Sequence, residues 1–338
     1  MREELITSGR MNPNIDPVLH VWHWQIPIYL FLGGLAAGLL FFAAYYTIIG
    51  KQDKYQTAVK IAPIIAPFAI ILGLIALLLD LKHPLFFWRL YTTIRLESPM
   101  SWGAWVLMLV TPLSMIWVLS YLKEITPRIE LKGFTKKIIS IFIKIEKNEN
   151  PLNWNWKFNW VQKFEIFVIK NRTNLAWVLA VFAIILGVYT GILLSAFNAR
   201  PLWNSAILGP LFLTSGLSTA AASIMWMSKS HEEKLIFGKI DIMLIIIELF
   251  FITHLFMGFL AGPEVQNEAA HYFLGGEFTV TFWINVVIIG LIIPGILETL
   301  ELLKVKIPVI IPAVLILWGG LMFRFIMVEA GQVTRFLY

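Results

Sequence analysis

Long apolar segments alternate with shorter polar segments along almost the whole chain. Each apolar segment approaches the roughly 20 residues that an α-helix needs to cross about 30 Å of hydrocarbon. The weaker alternation over about ten residues that is typical of membrane β-barrels is absent from the sequence. The pattern therefore predicts about eight transmembrane helices, at residues 26–49, 61–81, 103–122, 174–195, 205–227, 240–260, 279–302 and 307–328.

The composition favours an all-α integral membrane protein. Of the 338 residues, 58% are hydrophobic and only 14% are charged, and the mean hydropathy is +0.76. Soluble domains carry about 25% charged residues, so much of this surface must face lipid. The first apolar run is too long for the core of a signal peptide and is expected to remain as the first helix. We treat residues 1–338 as a single transmembrane domain.

The distribution of lysine and arginine predicts the orientation. Loops rich in these residues normally stay in the cytoplasm. The loop 123–173, between the third and fourth spans, decides the prediction, because the other basic residues divide evenly between the two sides. This loop is therefore expected in the cytoplasm and both termini outside.

The loop 123–173 has the pattern of an amphipathic segment. Its stretch 136–147 is apolar on one side and basic on the other, and its stretch 151–170 combines aromatic residues with lysine. Segments of this kind lie in the membrane interface against anionic lipid. Docking of a partner protein is the alternative, and nucleic-acid binding is not expected.

The residue types limit the cofactors that the protein can hold. It has no cysteine, which excludes disulfides, thiolate nucleophiles and cysteine-ligated iron–sulfur or zinc sites within this chain alone. Haem held by two histidines needs a pair at matched depth, and of the six histidines only His254 lies clearly within a predicted span. We therefore expect no haem, no iron–sulfur cluster and no metal site.

Polar and aromatic residues collect at the helix ends that are predicted to face outward. Aromatic belts and helix caps explain such residues singly, but they do not require that the residues share one face. Phenol groups can donate hydrogen bonds, and imidazole and carboxylate groups can exchange protons. The candidates are His23, Tyr29, Asp80, His83, Tyr189 and Arg200.

A second set of ionisable residues lies within or close to the predicted spans. A charge in hydrocarbon costs at least about 2.5 kcal/mol, so such groups usually face the bundle interior. Two readings stay open, a proton route from the cytoplasm and structural pairing of opposite charges. The set is Asp241, Glu248, His254, Glu298, Arg324 and Glu329.

Several motifs together resemble the NrfD/PsrC family, the membrane subunits of polysulfide-reductase-like complexes. SPMSWGAW combined with RPLW is the most specific pairing, and the resemblance covers about residues 20–335 apart from the loop 123–173. The motifs are WHW followed by YLFLGGLAAG, DLKHP, SPMSWGAW, GVYTGILL followed by RPLW, and R followed by EAGQ.

The resemblance implies a quinone-reactive anchor, multi-pass in the inner (cytoplasmic) membrane. In that family a bundle of eight or more helices without haem binds a quinone, menaquinone or a similar one, near the face that carries these motifs. It docks a ferredoxin-like iron–sulfur subunit on the outer face, and through it a molybdopterin-type catalytic subunit. A dimer of such complexes is compatible with the resemblance.

The resemblance also assigns residues to the quinone site. The family tyrosine of the fourth helix corresponds to Tyr189, and the aspartate of DLKHP to Asp80. On the first helix the family has a polar residue and a histidine where this protein has Ile26 and Tyr29. Tyr29 can still donate a hydrogen bond to a quinone carbonyl, whereas Ile26 cannot.

The expected function is electron exchange between menaquinol and the iron–sulfur partner of a polysulfide- or sulfur-reductase-like complex, with a proton route across the bundle as a second hypothesis. Two alternatives stay open. A secondary transporter would show interrupted helices or internal repeats, and no convincing repeat relates the two halves. A purely structural anchor would bind no quinone.

Overall fold

The protein is a helical bundle, described for residues 22–126, 143–145 and 154–334 of a computed structural model. Among these residues, seven helical segments are long and apolar enough to cross a membrane. They are Gln25–Ile48, Thr57–Asp80, Pro99–Ile125, Arg172–Ser195, Leu208–Met227, Thr279–Leu302 and Ile310–Val333. The remaining predicted span, 240–260, lies in a 30-residue helix, His231–Leu260, that packs against Leu208–Met227. The prediction of an all-α membrane bundle is confirmed, and the side on which the termini lie stays a prediction.

We number the α-helices in chain order. The first are α1 Gln25–Ile48, α2 Ile65–Asp80, α3 Arg89–Thr92, α4 Pro99–Ile125, α5 Asn159–Lys170 and α6 Arg172–Ser195. The others are α7 Leu208–Met227, α8 His231–Leu260, α9 Glu264–His271, α10 Thr279–Thr281, α11 Ile293–Leu302 and α12 Ile310–Val333. A π-helix (Thr57–Ile61) and a 3₁₀ turn (Ala62–Ile64) lead into α2, a 3₁₀ turn (Pro84–Phe86) precedes α3, and a second π-helix (Phe282–Ile292) joins α10 to α11.

Two helices begin earlier than the apolar pattern predicts, each at a local start signal in the sequence. α4 begins at Pro99, directly after the extended residue Ser98, and proline is favoured in a first helical turn. α8 begins at His231, where the hydroxyl of Ser230 accepts a hydrogen bond from the backbone N–H of Glu233 at 3.4 Å. A serine followed three residues later by glutamate is the sequence signature of a capping box. A proline in the first turn of α4 and a serine cap on α8 therefore mark helix starts that lie outside the apolar segments.

α1 lies at the centre of the bundle, in contact with α2, α6, α7 and α12. Its backbone meets that of α7 through glycines: a Cβ atom added to Gly38 would lie 2.5 Å from the carbonyl oxygen of Gly216. A Cβ added to Gly216 would lie 2.7 Å from the carbonyl oxygen of Gly34. Small residues allow this close approach. The packing that results stabilises helix association in lipid, where no hydrophobic driving force acts between helices.

Contacts between helix ends fix which ends share a side. At the end where α1 begins, which we call the outer end after its predicted orientation, the side-chain oxygen of Gln332 accepts a hydrogen bond from the backbone N–H of Trp22 at 2.8 Å. At the opposite, inner end, a carboxylate oxygen of Glu233 accepts from the backbone N–H of Ala58 at 2.9 Å. Lys54 and Glu232 form an ion pair at the same end. The chain therefore alternates between two ends, as the sequence predicts.

The loop between α4 and α6 contains local structure. Ile143–Ile145 pairs antiparallel with Trp154–Trp156, and α5 follows directly. Residues 127–142 and 146–153 lie outside the described residues, so most of the stretch 136–147 has no structural counterpart to compare with its prediction. The location of the loop in the cytoplasm stays a prediction.

Candidate functional site

Tyr29 of α1 and Tyr189 of α6 meet inside the outer half of the bundle. The two side chains are 3% and 8% exposed, and their hydroxyl groups lie close enough to interact. The hydroxyl of Tyr91, in α3, lies within electrostatic reach of Tyr29. The structure thus brings together two predicted tyrosines and adds a third, which the sequence shows only as one interfacial aromatic among several.

Gly103 makes room for Tyr189. A Cβ atom at position 103 would lie 1.8 Å from Cζ of Tyr189 and 1.9 Å from its hydroxyl oxygen. On the other side of the pair, a Cβ at Gly73 of α2 would lie 3.4 Å from Cδ2 of Tyr29. Gly103 belongs to the motif SPMSWGAW, so one role of this motif is to hold the phenol of Tyr189 against the backbone of α4.

His23 and Asp80 form a pair nearer to the outer surface. Nδ1 of His23 lies 3.8 Å from Oδ1 of Asp80, and the side chains are 65% and 12% exposed. Asp80 follows Gly73 by seven residues, which places it about 10 Å further along α2 than the ring of Tyr29. An exposed imidazole beside a sheltered carboxylate can exchange protons between water and the interior.

An apolar groove opens beside the tyrosines. Its volume is about 220 Å³, and it lies between α2 and the segment 87–91, with Tyr91 in its wall. Burial raises the pKa of Tyr91 above its ordinary value, so this hydroxyl stays protonated and can donate a hydrogen bond at neutral pH. The other lining residues are Ile71, Leu74, Ile75, Leu77, Leu78, Leu81, Phe87 and Leu90.

His83 lines a different, more polar cavity. This cavity has a volume of about 460 Å³, and Lys82, Arg89 and Arg95 also line it. The exposed segment around it includes large apolar side chains such as Leu85 and Trp88, 87% and 49% exposed. The structure therefore places His83 on the outer surface rather than beside Tyr29 and Tyr189.

Arg200 supports the end of α12. It is 6% exposed and donates hydrogen bonds from Nη1 to the carbonyl oxygens of Gln332 at 3.0 Å and Thr334 at 2.7 Å. The nearby Trp203 donates to the carbonyl of Met327 at 2.8 Å and packs against Trp22 at 5.0 Å between ring centroids. The motif RPLW therefore holds the outer ends of several helices together, and a role of Arg200 towards a quinone stays a prediction.

Arg324 and Glu248 lie buried in the middle of the bundle, 1% and 2% exposed. The guanidinium of Arg324 donates to Oγ of Ser215 and, at 3.2 Å, to the carbonyl oxygen of Phe212. Glu248 is attracted electrostatically to Arg324 and also approaches Ser215. Both readings of these residues, structural pairing and a proton route, are compatible with this arrangement.

Asp241 and Glu298 form a buried acidic pair. They are 0% and 1% exposed, their carboxyl groups lie close enough to interact, and Asp241 also approaches Ser218. By strict hydrogen-bond geometry, none of their four carboxyl oxygens has a partner among the described residues. Two ionised carboxylates in contact repel each other, so a proton shared between them stabilises such a pair.

His254 and Glu329 lie apart from these buried groups. His254 is exposed on α8 and stacks on Phe250, with 5.6 Å between ring centroids. Glu329 is exposed near the outer end of α12, five residues and therefore about 140° round the helix from Arg324. Both residues face outward, away from the buried groups, and their part in a proton route stays a prediction. Within the described part of the chain, no group of three or more His, Cys, Asp or Glu could hold a metal ion.

Comparison with known proteins agrees with the bundle and its motifs. Residues 11–336 match the family described as polysulphide reductase, NrfD. The sequence is 32% identical to the protein NrfD of Escherichia coli, across 93% of this chain and 96% of the relative. It is 29% identical to a chain of the polysulfide reductase of Wolinella succinogenes (92% and 94%) and 24% identical to a subunit of the selenate reductase of Mesobacillus selenatarsenatis (83% and 67%). The chain is therefore a multi-pass membrane protein that belongs to the NrfD family.

Proposed function

We propose that this protein is the quinone-reactive membrane subunit of a reductase complex, with its site at Tyr29 and Tyr189. The observation that carries the proposal is the meeting of these two buried phenols beside the apolar groove that contains Tyr91. A substrate with polar oxygens on an apolar body fits such a site, because the groove accepts the body and the phenols can donate to the oxygens. A bound quinone would supply the two-electron, two-proton chemistry.

The residues around the phenols have different roles in the proposed site. Tyr29, Tyr189 and Tyr91 can donate hydrogen bonds and so fix the orientation of a carbonyl-bearing ring. His23 and Asp80, 3.8 Å apart and open to the outer surface, can carry protons between the site and water. The aliphatic residues of the groove exclude water, which strengthens the hydrogen bonds inside it. Ile26, 2% exposed, contributes apolar packing only.

A proton route through the inner half is the second part of the proposal. Ser215 and Ser218 lie three residues apart on α7 and so share a face. Ser215 approaches Glu248, and Ser218 approaches Asp241. The two serines thereby link the Arg324–Glu248 pair with the Asp241–Glu298 pair, and the four ionisable side chains form a polar line along the bundle.

The partners that we propose are an iron–sulfur subunit on the outer face and a catalytic subunit of the molybdopterin type beyond it. Two relatives are named as parts of reductases, for polysulfide and for selenate. The surface around His83 combines exposed apolar and basic side chains, which suits contact with a partner. The inner membrane is the proposed location.

The experiment that tests the quinone site compares tyrosine variants of the purified protein. Tyr29→Phe and Tyr189→Phe each remove one hydroxyl, so each should weaken binding of a fluorescent quinol analogue by up to about tenfold. Tyr46→Phe is the matched control, since Tyr46 is 4% exposed but packs on Tyr55 at the inner end. Equal affinities for all variants would contradict the site. Absence of binding even by the parent protein would favour a purely structural anchor.

A further inference from the structure

Helix α5 carries an exposed aromatic face outside the proposed quinone site. Trp160, Phe164 and Phe167 are 71%, 39% and 64% exposed. At about 100° per residue these three positions fall within about 60° of arc on the helix. Lys163 and Lys170 lie about 60° round from Trp160 and Phe167, both on the same side. The helix therefore presents an aromatic stripe bordered by two positive charges.

The bundle fixes the rotation of α5. Glu165, 1% exposed, forms an ion pair with Lys123 of α4, with 2.6 Å between the charged atoms. Val168, three residues further on, is also buried, at 5% exposed. The ammonium of Lys123 lies 5.6 Å from the ring centroid of Trp154 in the preceding strand. Because this side of α5 is held against α4, the aromatic stripe cannot turn inward.

α5 lies beside the inner ends of two membrane-spanning helices, α4 and α6. Glu124, in the last turn of α4, pairs with Arg172, the first residue of α6, at 2.8 Å. α5 ends at Lys170, two residues before this pair. The short connection from α5 to α6 thus places α5 where the hydrocarbon gives way to headgroups.

We propose that α5 is an interfacial helix that binds anionic phospholipid. Trp160, Phe164 and Phe167 insert among the headgroups, and Lys163 and Lys170 contact the lipid phosphates. Aromatic residues favour this depth of a bilayer, and basic residues there are attracted to anionic lipid. The continuity of α5 with two spans, together with the sign of its charges, favours a bilayer over a protein as the occupant.

The sequence contains no cysteine, so a single introduced cysteine can be labelled selectively. Phe167→Cys, labelled with an environment-sensitive fluorophore, would be studied on the full-length protein in nanodiscs whose lipids carry nitroxide groups along the acyl chains. Gln162→Cys is the control on the same helix, about 140° round from position 167. We expect a blue shift and strong quenching at position 167, and little of either at position 162. A label at position 167 with water-like emission would overturn insertion, and equal quenching at both positions would overturn the proposed rotation.

Varying the charge of the lipid tests the phosphate contacts of the lysines separately from the insertion of the aromatic residues. Quenching at position 167 should increase when phosphatidylglycerol is mixed into phosphatidylcholine, since each lysine near an anionic surface favours the bound state roughly fivefold. Lys163→Gln with Lys170→Gln should abolish this increase, and Lys163→Arg with Lys170→Arg should retain it. Quenching that is indifferent to phosphatidylglycerol would overturn the phosphate contacts. Protection of position 167 only in the presence of partner subunits would identify a protein as the occupant and overturn lipid binding.

Discussion

The tyrosine site in the outer half and the carboxyl groups in the inner half both bury polar atoms, but they do so in opposite ways. The outer half contains neutral phenols, Tyr29 and Tyr189, that contact each other beside an apolar groove and below the exposed His23. The inner half contains Asp241 and Glu298, which are 0% and 1% exposed, and Glu248, which lies beside the buried cation Arg324. Phenols can be buried at low cost and remain free to bind a substrate. Carboxyl groups at that depth require a proton or a cation.

The difference separates the roles that each half can play. A site that a membrane-soluble substrate enters must open to lipid, and the groove along α2 is lined by apolar side chains, of which Ile75 is 47% exposed. A polar line that moves protons needs to exclude lipid and to connect groups that accept and release protons. Substitutions that affect one half and leave the other intact would test this separation of roles.

The largest effect is expected for Arg324→Met, which leaves Glu248 buried without its cation. Removing one member of a buried charged pair destabilises a protein by about 3–5 kcal/mol. Thermal unfolding in detergent measures the loss. Glu329→Gln, on an exposed face of the same helix, is the control and should change stability by no more than about 0.5 kcal/mol. Equal melting temperatures for the two variants would contradict the pairing.

Gly103→Ala should lower quinol oxidation at the tyrosine site of the outer half and leave the carboxyl groups of the inner half unaffected. The new methyl group would overlap the phenol of Tyr189, and displacement of a positioning group by about 1 Å can cost about 100-fold in turnover. The assay is quinol oxidation by the complete complex. Gly258→Ala is the matched control, because nothing lies within 4 Å of a Cβ at that position. Wild-type turnover in Gly103→Ala would show that the position of Tyr189 is unimportant.

Asp241→Asn and Glu298→Gln should affect the inner half alone. Each change keeps the shape of the side chain but removes its ability to bind and release a proton, so we expect proton uptake by reconstituted vesicles to fall by about tenfold or more. The affinity for a quinol analogue should stay unchanged. Glu248→Gln tests the other pair in the same way. Unchanged proton uptake in all three variants would leave structural pairing as the explanation of these groups.

The smallest effect is expected for His23→Ala. A polar pair with one partner open to water contributes at most about 1 kcal/mol, which corresponds to roughly a fivefold change. We expect a modest fall in turnover and the same fall in Asp80→Asn, with little further loss in the double variant, because the two residues act as a unit. Strictly multiplicative losses would indicate that the two residues act independently.

The sequence predicts the spans well, because length and hydropathy are enough to identify a segment that crosses a bilayer. It also places Tyr29, Tyr189 and Asp80 at one end. It does not identify Tyr91 or Gly103 as parts of the site. Tyr91 looks like any aromatic residue of the interface, and the importance of Gly103 depends on a ring from a helix that is distant in sequence.

The places of four other residues depend on how the helices rotate and pack, which the sequence leaves undetermined. His254 and Glu329 lie on outward faces, whereas Arg324 points into the bundle. Arg200 donates to backbone carbonyl oxygens at the end of α12, a contact that joins two helix ends distant in sequence. In water an apolar stripe reveals the buried face of a helix, but in lipid both faces are apolar, so this signal is weak.

By itself the sequence determined the class of fold, the alternation of helix ends and the family motifs, because these follow from local length, polarity and residue order. Which residues meet depends on tertiary packing, which pairs Tyr29 with Tyr189, His23 with Asp80, and Asp241 with Glu298. Helices in a membrane associate through small residues and close backbone contact. These contacts set the rotation and depth of each helix, and neither quantity can be read from hydropathy.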